Sequence, residues 1–408
     1  MTVEPYRRVL SIPGVRTLLL VGLVARIPVV ATGLTLTLHV VGGLRLGFLE
    51  AGLVGAAATA GVAVGSPIAG RFVDRRGLRP VLAVTTVAQL VFWIAASFLP
   101  YWPLVAGAFA DGVLALPVFS VVRQCLAATV PAEQRRSAYA LDSMLVEICY
   151  MTGPALAVAV TTALGSAWTM TFVGLGMVGS GVALLILDPP VRVAGEPEAG
   201  GAVVSRRQWL TPAMLALLAV TCALTFVLAA TELGVVAVLK ADAATRWTGL
   251  ALAVWGIASL TGGFVYGALP RGFSPLVMVG TMAALTVPIG LFGDWRVVCL
   301  VLLPAGMLCA PGISTTIDTL SRWVPAEARG EATGLHGTAM TLGLAIAGPV
   351  TGTIIDDWGS RWAFILPGAG GLLVVLLAAP IWRRGRRPAV PAAGPVPVAG
   401  GEPVPDAA

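Results

Sequence analysis

Three ionisable residues stand in otherwise apolar stretches: Arg26 in LVARIPVV, Asp111 in AFADGVLAL and Glu147 in MLVEICY. A charge in the middle of a membrane helix costs at least ~2.5–3.5 kcal/mol on insertion scales, so each needs a partner or a task. One guanidinium and two carboxylates leave one acid without a cation. That acid could carry a proton, and the set could hold the polar end of a substrate. The competing reading is an ion pair between Arg26 and one carboxylate that only joins helices. Asp142 precedes Glu147 by five residues, about 140° around a helix, and reads as a solvated acid at a helix start. Glu232 reads equally as a rim or gate charge or as a snorkelled surface charge, and Asp356 and Asp357 as a solvated turn. His39 reads as an interface residue, and His336 hints at the inner mouth of a channel. The five cysteines (125, 149, 222, 299 and 309) include no CxxC pair, so neither a zinc site nor a disulfide framework is expected. No nucleophile–base pair and no G-x-x-x-x-G-K-[ST] sequence is present. Neither an enzyme nor a cofactor is expected.

The elements that position these residues follow from composition. The chain has 408 residues, 57% hydrophobic and 11% charged, where a soluble domain carries about 25% charged residues. Its mean hydropathy is +0.90. A bilayer core of ~30 Å needs about 20 apolar residues per helix. Twelve such runs can be read: 17–40, 50–70, 80–99, 103–124, 138–162, 166–187, 211–239, 247–269, 274–293, 297–320, 332–355 and 361–382. Spans 1 to 12 below are these runs in order. The expected fold is an all-α polytopic membrane protein. The first apolar segment is too long for a cleavable signal peptide, and no A-x-A site follows it.

The net charge of +6 comes from 26 basic and 20 acidic residues. The basic residues sit in short clusters between apolar runs, which fits membrane orientation rather than nucleic-acid binding. Twenty lie at the termini or in even-numbered loops, five in odd-numbered loops, and Arg26 inside span 1. The split places both termini in the cytoplasm and the chain in the cell membrane. The tail 388–408 is Pro-, Ala-, Gly- and Val-rich without periodicity and reads as disordered.

The polar stretch 188–209 separates a six-span half, 1–187, from a second, 210–387. The halves repeat. Val130-Pro131-Ala132-Glu133-Gln134-Arg135 matches Val324-Pro325-Ala326-Glu327-Ala328-Arg329 at an offset of 194, and the same offset pairs Pro117 with Pro311 and Ser120 with Ser314. With one residue inserted, Gly153-Pro154 pairs with Gly348-Pro349. Parallel repeats of this kind place a substrate site between the halves near the midplane. After span 2 comes Gly70-Arg71-Phe72-Val73-Asp74-Arg75-Arg76-Gly77-Leu78-Arg79-Pro80. It resembles the loop 2–3 signature of the major facilitator superfamily, G-x-x-x-D-R-x-G-x-R-R, with Pro80 in place of the last basic residue. Gly153-Pro154 resembles part of the span 5 motif of proton-antiporting drug exporters in that superfamily. Ala157 and Val158 depart from its glycine pattern, and the arginine usual in mid-span 4 is missing.

The resemblance implies two six-helix halves, no cofactor beyond the proton gradient, and a small-molecule substrate carried by a monomer. It implies a cavity walled by spans 1, 4, 7 and 10, with Thr221, Thr225, Met307, Ser314 and Thr315 as lining candidates in the second half. So weakly polar a wall suits a lipophilic organic compound. Proton-coupled efflux is the expected activity, with Arg26, Asp111 and Glu147 as the coupling and substrate residues. Uptake by symport, and a sensor without flux, are the alternatives. Pro117 and Pro311 are expected to kink spans 4 and 10 at matching places. Glycines of span 2 (52, 55, 61, 65) and span 8 (249, 256, 262, 263) read as close-packing faces. The expected cytoplasmic gate comprises Gly70, Asp74, Arg75, Gly77 and Arg79; the resemblance implies an Asp74–Arg123 pair, with Asp74 also facing the N-terminus of span 11, where a helix end favours an acid. A degenerate copy beginning at Gly267 gives a charge-exchanged pair, Arg271–Asp318.

Overall fold

The computed structural model describes residues 3–191, 205–244, 247–269 and 271–385. The expected tail 388–408 and most of the linker lie outside these residues. The described chain is helical throughout. Eleven helices are long and apolar enough to cross a membrane: Val15–Gly43, Glu50–Arg76, Leu78–Ala96, Tyr101–Thr129, Arg135–Leu164, Ser166–Leu187, Pro212–Ala241, Thr248–Ala268, Trp295–Trp323, Ala326–Trp358 and Trp362–Arg383. The shorter apolar helix Pro275–Leu291 supplies span 9, giving the twelve expected. A short helix, Glu4–Ser11, precedes span 1.

The same neighbours recur in each half. Span 1 packs on spans 5 and 6, span 2 on span 4, and span 3 on span 6; span 7 packs on spans 11 and 12, span 8 on span 10, and span 9 on span 12. Leucine and valine side chains point outward, Leu20 and Val24 among them, while serine and threonine hydroxyls are buried. Many of those hydroxyls donate to their own helix, as Thr221 does to the Leu217 carbonyl at 2.9 Å. This inside-out pattern is what lipid demands, because a backbone or side-chain donor facing hydrocarbon would go unpaired. Trp102, Trp168, Trp247, Trp295, Trp358 and Trp362 all lie at helix ends far from the termini. Indole rings favour the interfacial layer, so they mark the face opposite the termini.

Two spans are broken. Span 4 divides into Tyr101–Val113 and Val118–Thr129, with Pro117 capping the second piece. Span 10 divides into Trp295–Gly306 and Cys309–Trp323. Its break falls at Met307–Leu308, ahead of the expected site. Pro311 sits in the first turn of the second piece, where its missing N–H costs no helical bond. Glycines explain the placement of both breaks. A Cβ at Gly65 of span 2 would lie 2.1 Å from the Val113 carbonyl oxygen, and one at Gly262 of span 8 would lie 1.7 Å from that of Met307. Backbone therefore rests on backbone beside each break. Gly61 is packed in the same manner and Gly256 and Gly263 face side chains of spans 5 and 10, whereas Gly52, Gly55 and Gly249 have nothing within 4 Å.

Candidate functional site

Three features make up the site: a gate at the face carrying the termini, a buried charge cluster behind it, and two further intramembrane carboxylates, Asp111 and Glu147. At the gate, the signature is mostly helix rather than loop, since span 2 runs to Arg76 and only Gly77 turns, at φ 83°. Gly70 and Asp74 therefore lie one turn apart on one face. A Cβ at Gly70 would sit 2.1 Å from the Gly330 carbonyl oxygen. That contact lets Asp74 reach the start of span 11. Its carboxylate accepts from the Gly330 and Glu331 backbone N–H groups, each at 2.8 Å, and from Gln124 Nε2 at 3.1 Å. Ala328 stands at the N-cap of that helix with no capping side chain of its own. Asp74 thus caps a helix of the other half, with the helix dipole favouring its charge.

The expected Asp74–Arg123 ion pair is replaced by this cap, and Arg123 turns to Asp142 at 3.3 Å. Arg271 is exposed, and Asp318 pairs with Arg322 on its own helix at 3.1 Å, so the charge-exchanged pair is not formed. Arg75 is exposed, and Arg79 makes a surface pair with Asp188 at 3.4 Å. Gly70→Ala should prevent full closure, since overpacking of this kind costs ~1–3 kcal/mol. Thiol-reagent access to a cysteine placed at Ser66 would report it: labelling should rise, and unchanged labelling would show that the glycine contact does not set closure.

The N-terminal helix adds a contact that the motif does not predict. The Tyr6 hydroxyl donates to the Phe264 carbonyl and, at 3.2 Å, to that of Gly263, and its ring stacks on Phe264 at 5.0 Å. Burial pushes its hydroxyl pKa up to about 12, so it remains a donor. The buried Tyr6 and Val9, three apart on one helix face, were the available signal. Ser137 also donates to the Gly267 carbonyl at 2.7 Å, and Thr338 to that of Ala63 at 2.8 Å. Among the described residues, the hydrogen bonds between the halves all lie in the membrane half nearer the termini. The structure is closed on that side.

Behind the gate, Arg26 Nη1 lies 2.7 Å from Asp142 Oδ1, while Arg123 holds the other oxygen. Asp142 is 1% exposed and Arg26 0%. The solvated-acid reading of Asp142 is thereby corrected. This deep carboxylate is bridged by two guanidiniums, which joins spans 1, 4 and 5. Arg26 also lies over the Phe119 ring, 5.0 Å from its centroid. Arg123 Nη1 reaches Met340 Sδ of the second half at 3.6 Å. His336, 194 residues beyond Asp142, is likewise fully buried and shares a hydrogen bond with Thr316 at 3.0 Å. The repeat therefore conserves a buried polar joint while changing its chemistry.

Neither expected carboxylate meets Arg26. Asp111 is held within the first half, accepting from Gln89 Nε2 at 2.7 Å, and Gln89 in turn accepts from Trp93 at 3.1 Å. Glu147 faces span 8: its Oε1 is 3.9 Å from where a Cβ on Gly256 would sit. It stands at the seam between the halves, above the closed gate. Of the expected lining residues only Met307 has substantial exposure, 36%. Thr221, Thr225, Ser314 and Thr315 are buried between helices in this conformation, with Thr225 donating to the Met340 carbonyl at 2.9 Å and Thr315 to that of Phe273 at 2.8 Å. Gly153 presses on span 1, where a Cβ would lie 2.9 Å from the Ile27 carbonyl oxygen, but Gly348 has open space. Pro154 and Pro349 sit inside unbroken helices. Among the described residues no group of three or more His, Cys, Asp or Glu could hold a metal ion.

Comparison with known proteins accords with this geometry. The family model described as Major Facilitator Superfamily matches residues 18–293 and 214–405. Comparison with curated proteins finds no match. Among solved structures, the human organic anion transporter MFSD10 (TETRAN) is 15% identical with a TM-score of 0.71, over 90% of this chain and 100% of its own. A bacterial homologue of the iron transporter ferroportin, in an outward-facing state, is 17% identical with a TM-score of 0.70, over 91% and 98%. The proton:xylose symporter XylE is 13% identical with a TM-score of 0.65, over 90% and 96%. At such identities the likeness concerns the fold.

Proposed function

The chain belongs to the Major Facilitator Superfamily, and we propose that it is a proton-coupled exporter of a small lipophilic organic compound. Transport by alternating access follows from the family and fold. The observation that carries the finer reading is the position of Glu147. It is a carboxylate in mid-membrane, at the seam between the halves, with no ion pair among the described residues. Such a group can take a proton from one side and release it to the other as the halves rock. Asp111 fits that role less well, since its hydrogen bond with Gln89 ties it within one half. The arginine-rich terminal face is assigned to the cytoplasm of the cell membrane. The closed conformer then opens outward, the state from which an exporter releases substrate and loads protons.

The test uses everted membrane vesicles energised by a proton gradient, with ethidium and rhodamine as lipophilic reporters. Glu147→Gln should abolish gradient-driven accumulation, and Asp111→Asn should retain most of it. Normal accumulation in Glu147→Gln would overturn the coupling role.

A further inference from the structure

Spans 6 and 12 repeat at the offset of 194 residues. Gly165 and Gly359 turn into them at φ 92° and 94°, and Gly174-Leu175-Gly176 matches Gly368-Ala369-Gly370. The surroundings of the last glycine differ between the halves. A Cβ at Gly176 would meet Pro28 of span 1 at 3.0 Å, whereas one at Gly370 would have nothing within 4 Å. The space left open is a groove of about 640 Å³ between spans 7, 11 and 12, bounded by Leu218 and Phe226, Leu335 and Ile346, and Gly370 and Val374. Ile346 is 42% exposed, and Leu373 beside the span 12 wall is 56% exposed, so the groove opens sideways into the bilayer. Its one hydroxyl, on Thr338, is committed to the Ala63 carbonyl at 2.8 Å. The lining therefore offers a ligand only hydrocarbon contact. From Leu335 to Ile346 the helical rise gives about 17 Å, close to one leaflet's share of the ~30 Å core.

The end of the groove nearer the termini is cationic. Leu335 lies one turn beyond Glu331 on the same face of span 11, and Glu331 pairs with Arg206. Arg206 and Arg207 belong to the short helix Arg206–Trp209, which is anchored by Trp209 at 3% exposure. Arg206 keeps 55% of its side chain exposed despite the pair. Arg207 is exposed, and so is Arg383 at the end of span 12, which packs antiparallel to span 7. Neither forms a salt bridge among the described residues.

We propose that the groove binds an anionic phospholipid of the leaflet at the terminal face, with one acyl chain along spans 7, 11 and 12 and the phosphate on Arg206, Arg207 and Arg383. Basic clusters at the foot of a gap between membrane helices suit such headgroups. A zwitterionic lipid would fill the groove but leave the surplus positive charge unanswered. The transported compound is a poorer occupant, because the floor is shut toward the interior of the protein. A Cβ at Gly343 of span 11 would lie 2.2 Å from the Cys222 carbonyl oxygen of span 7, so the two backbones touch there.

The test is native mass spectrometry of the purified full-length protein in detergent, with dioleoylphosphatidylglycerol and dioleoylphosphatidylcholine as probes. One phosphatidylglycerol should be retained saturably, and phosphatidylcholine about tenfold more weakly or less. Arg206→Ala with Arg207→Ala should weaken phosphatidylglycerol about tenfold or more, as loss of two juxtamembrane cations implies. Arg207→Ala with Arg383→Ala breaks no salt bridge and should act alike if loss of the Glu331 pair impairs folding. Gly370→Leu fills the groove and should lower retention of both lipids. Arg16→Ala, an exposed arginine at the foot of span 1, should change neither. Equal retention of the two lipids, or phosphatidylglycerol retention unchanged by Gly370→Leu or by the arginine variants, would overturn the proposal. Loss of ethidium binding in Gly370→Leu with lipid retention unchanged would give the groove to the transported compound instead.

Discussion

Asp142→Ala will remove folded protein from the membrane more completely than any other single change at the site. The aspartate is the shared partner of two buried guanidiniums. Deleting one partner of a buried ion pair costs ~3–5 kcal/mol, because the remaining charge is left without compensation. Here two cations would be stranded. Arg26 Nε and Nη2 and Arg123 Nη2 already lack hydrogen-bond partners, so nothing else is positioned to take them up. Arg26→Met should be milder despite the complete burial of Arg26. It preserves much of the volume, removes the excess positive charge, and leaves Arg123 with Asp142 as a balanced pair. Thermal unfolding in detergent should order the variants as wild type, Arg26→Met, then Asp142→Ala. Equal damage from both would show that charge balance does not govern this joint.

Asp74→Ala should open the gate. It deletes two charge-assisted bonds to the first turn of span 11, each worth about 1.5–3 kcal/mol where buried. A loss of even ~3 kcal/mol shifts a two-state equilibrium by about two orders of magnitude. Reagents applied from the terminal face should reach a cysteine at Ser66, whose hydroxyl donates to the Gly334 carbonyl, readily in this variant and poorly in the wild type. Exchanging charges, Asp74→Arg with Arg123→Asp, should not restore closure. A guanidinium at position 74 would bring donors toward backbone N–H donors. Recovery in the double variant would mean that a side-chain pair, rather than the helix cap, holds the gate.

The twelve spans and the two-half plan could be read from the sequence because lipid imposes a length and a polarity on every helix. Span 2 was harder to bound. The arginines of its signature look like a loop, although Gly70 through Arg76 continue the helix. The gate acid could be read as well, since Gly70 and Asp74 carry the motif, and so could its approach to the N-terminus of span 11, which the resemblance implies; that this cap excludes Arg123 could not. A backbone N–H leaves no trace in residue type, so the sequence does not show whether the cap or the nearest arginine takes the carboxylate. The surroundings of Asp142 are hidden for a related reason. Sequence position placed it at a helix start, and only packing shows that Arg26 and Arg123 converge on it from two other helices. The threonines expected to line the cavity are buried, and their hydroxyls serve backbone carbonyls in the closed conformer. Glu232 could be flagged as a charge near a span end.

Pulsed electron resonance distances between the halves test the central claim most directly. One label pair would span the terminal face at Glu133 and Arg271, and a second the opposite face at Leu164 and Asp357. Both would be recorded in nanodiscs from alkaline to acid buffer. Alternating access across the spans 2–11 and 5–8 seams predicts reciprocal behaviour: as the terminal pair lengthens, the opposite pair shortens, with populations exchanging together. Glu147→Gln should hold the two distributions fixed across the titration. Pairs that lengthen together, or that change independently of each other, would contradict the account.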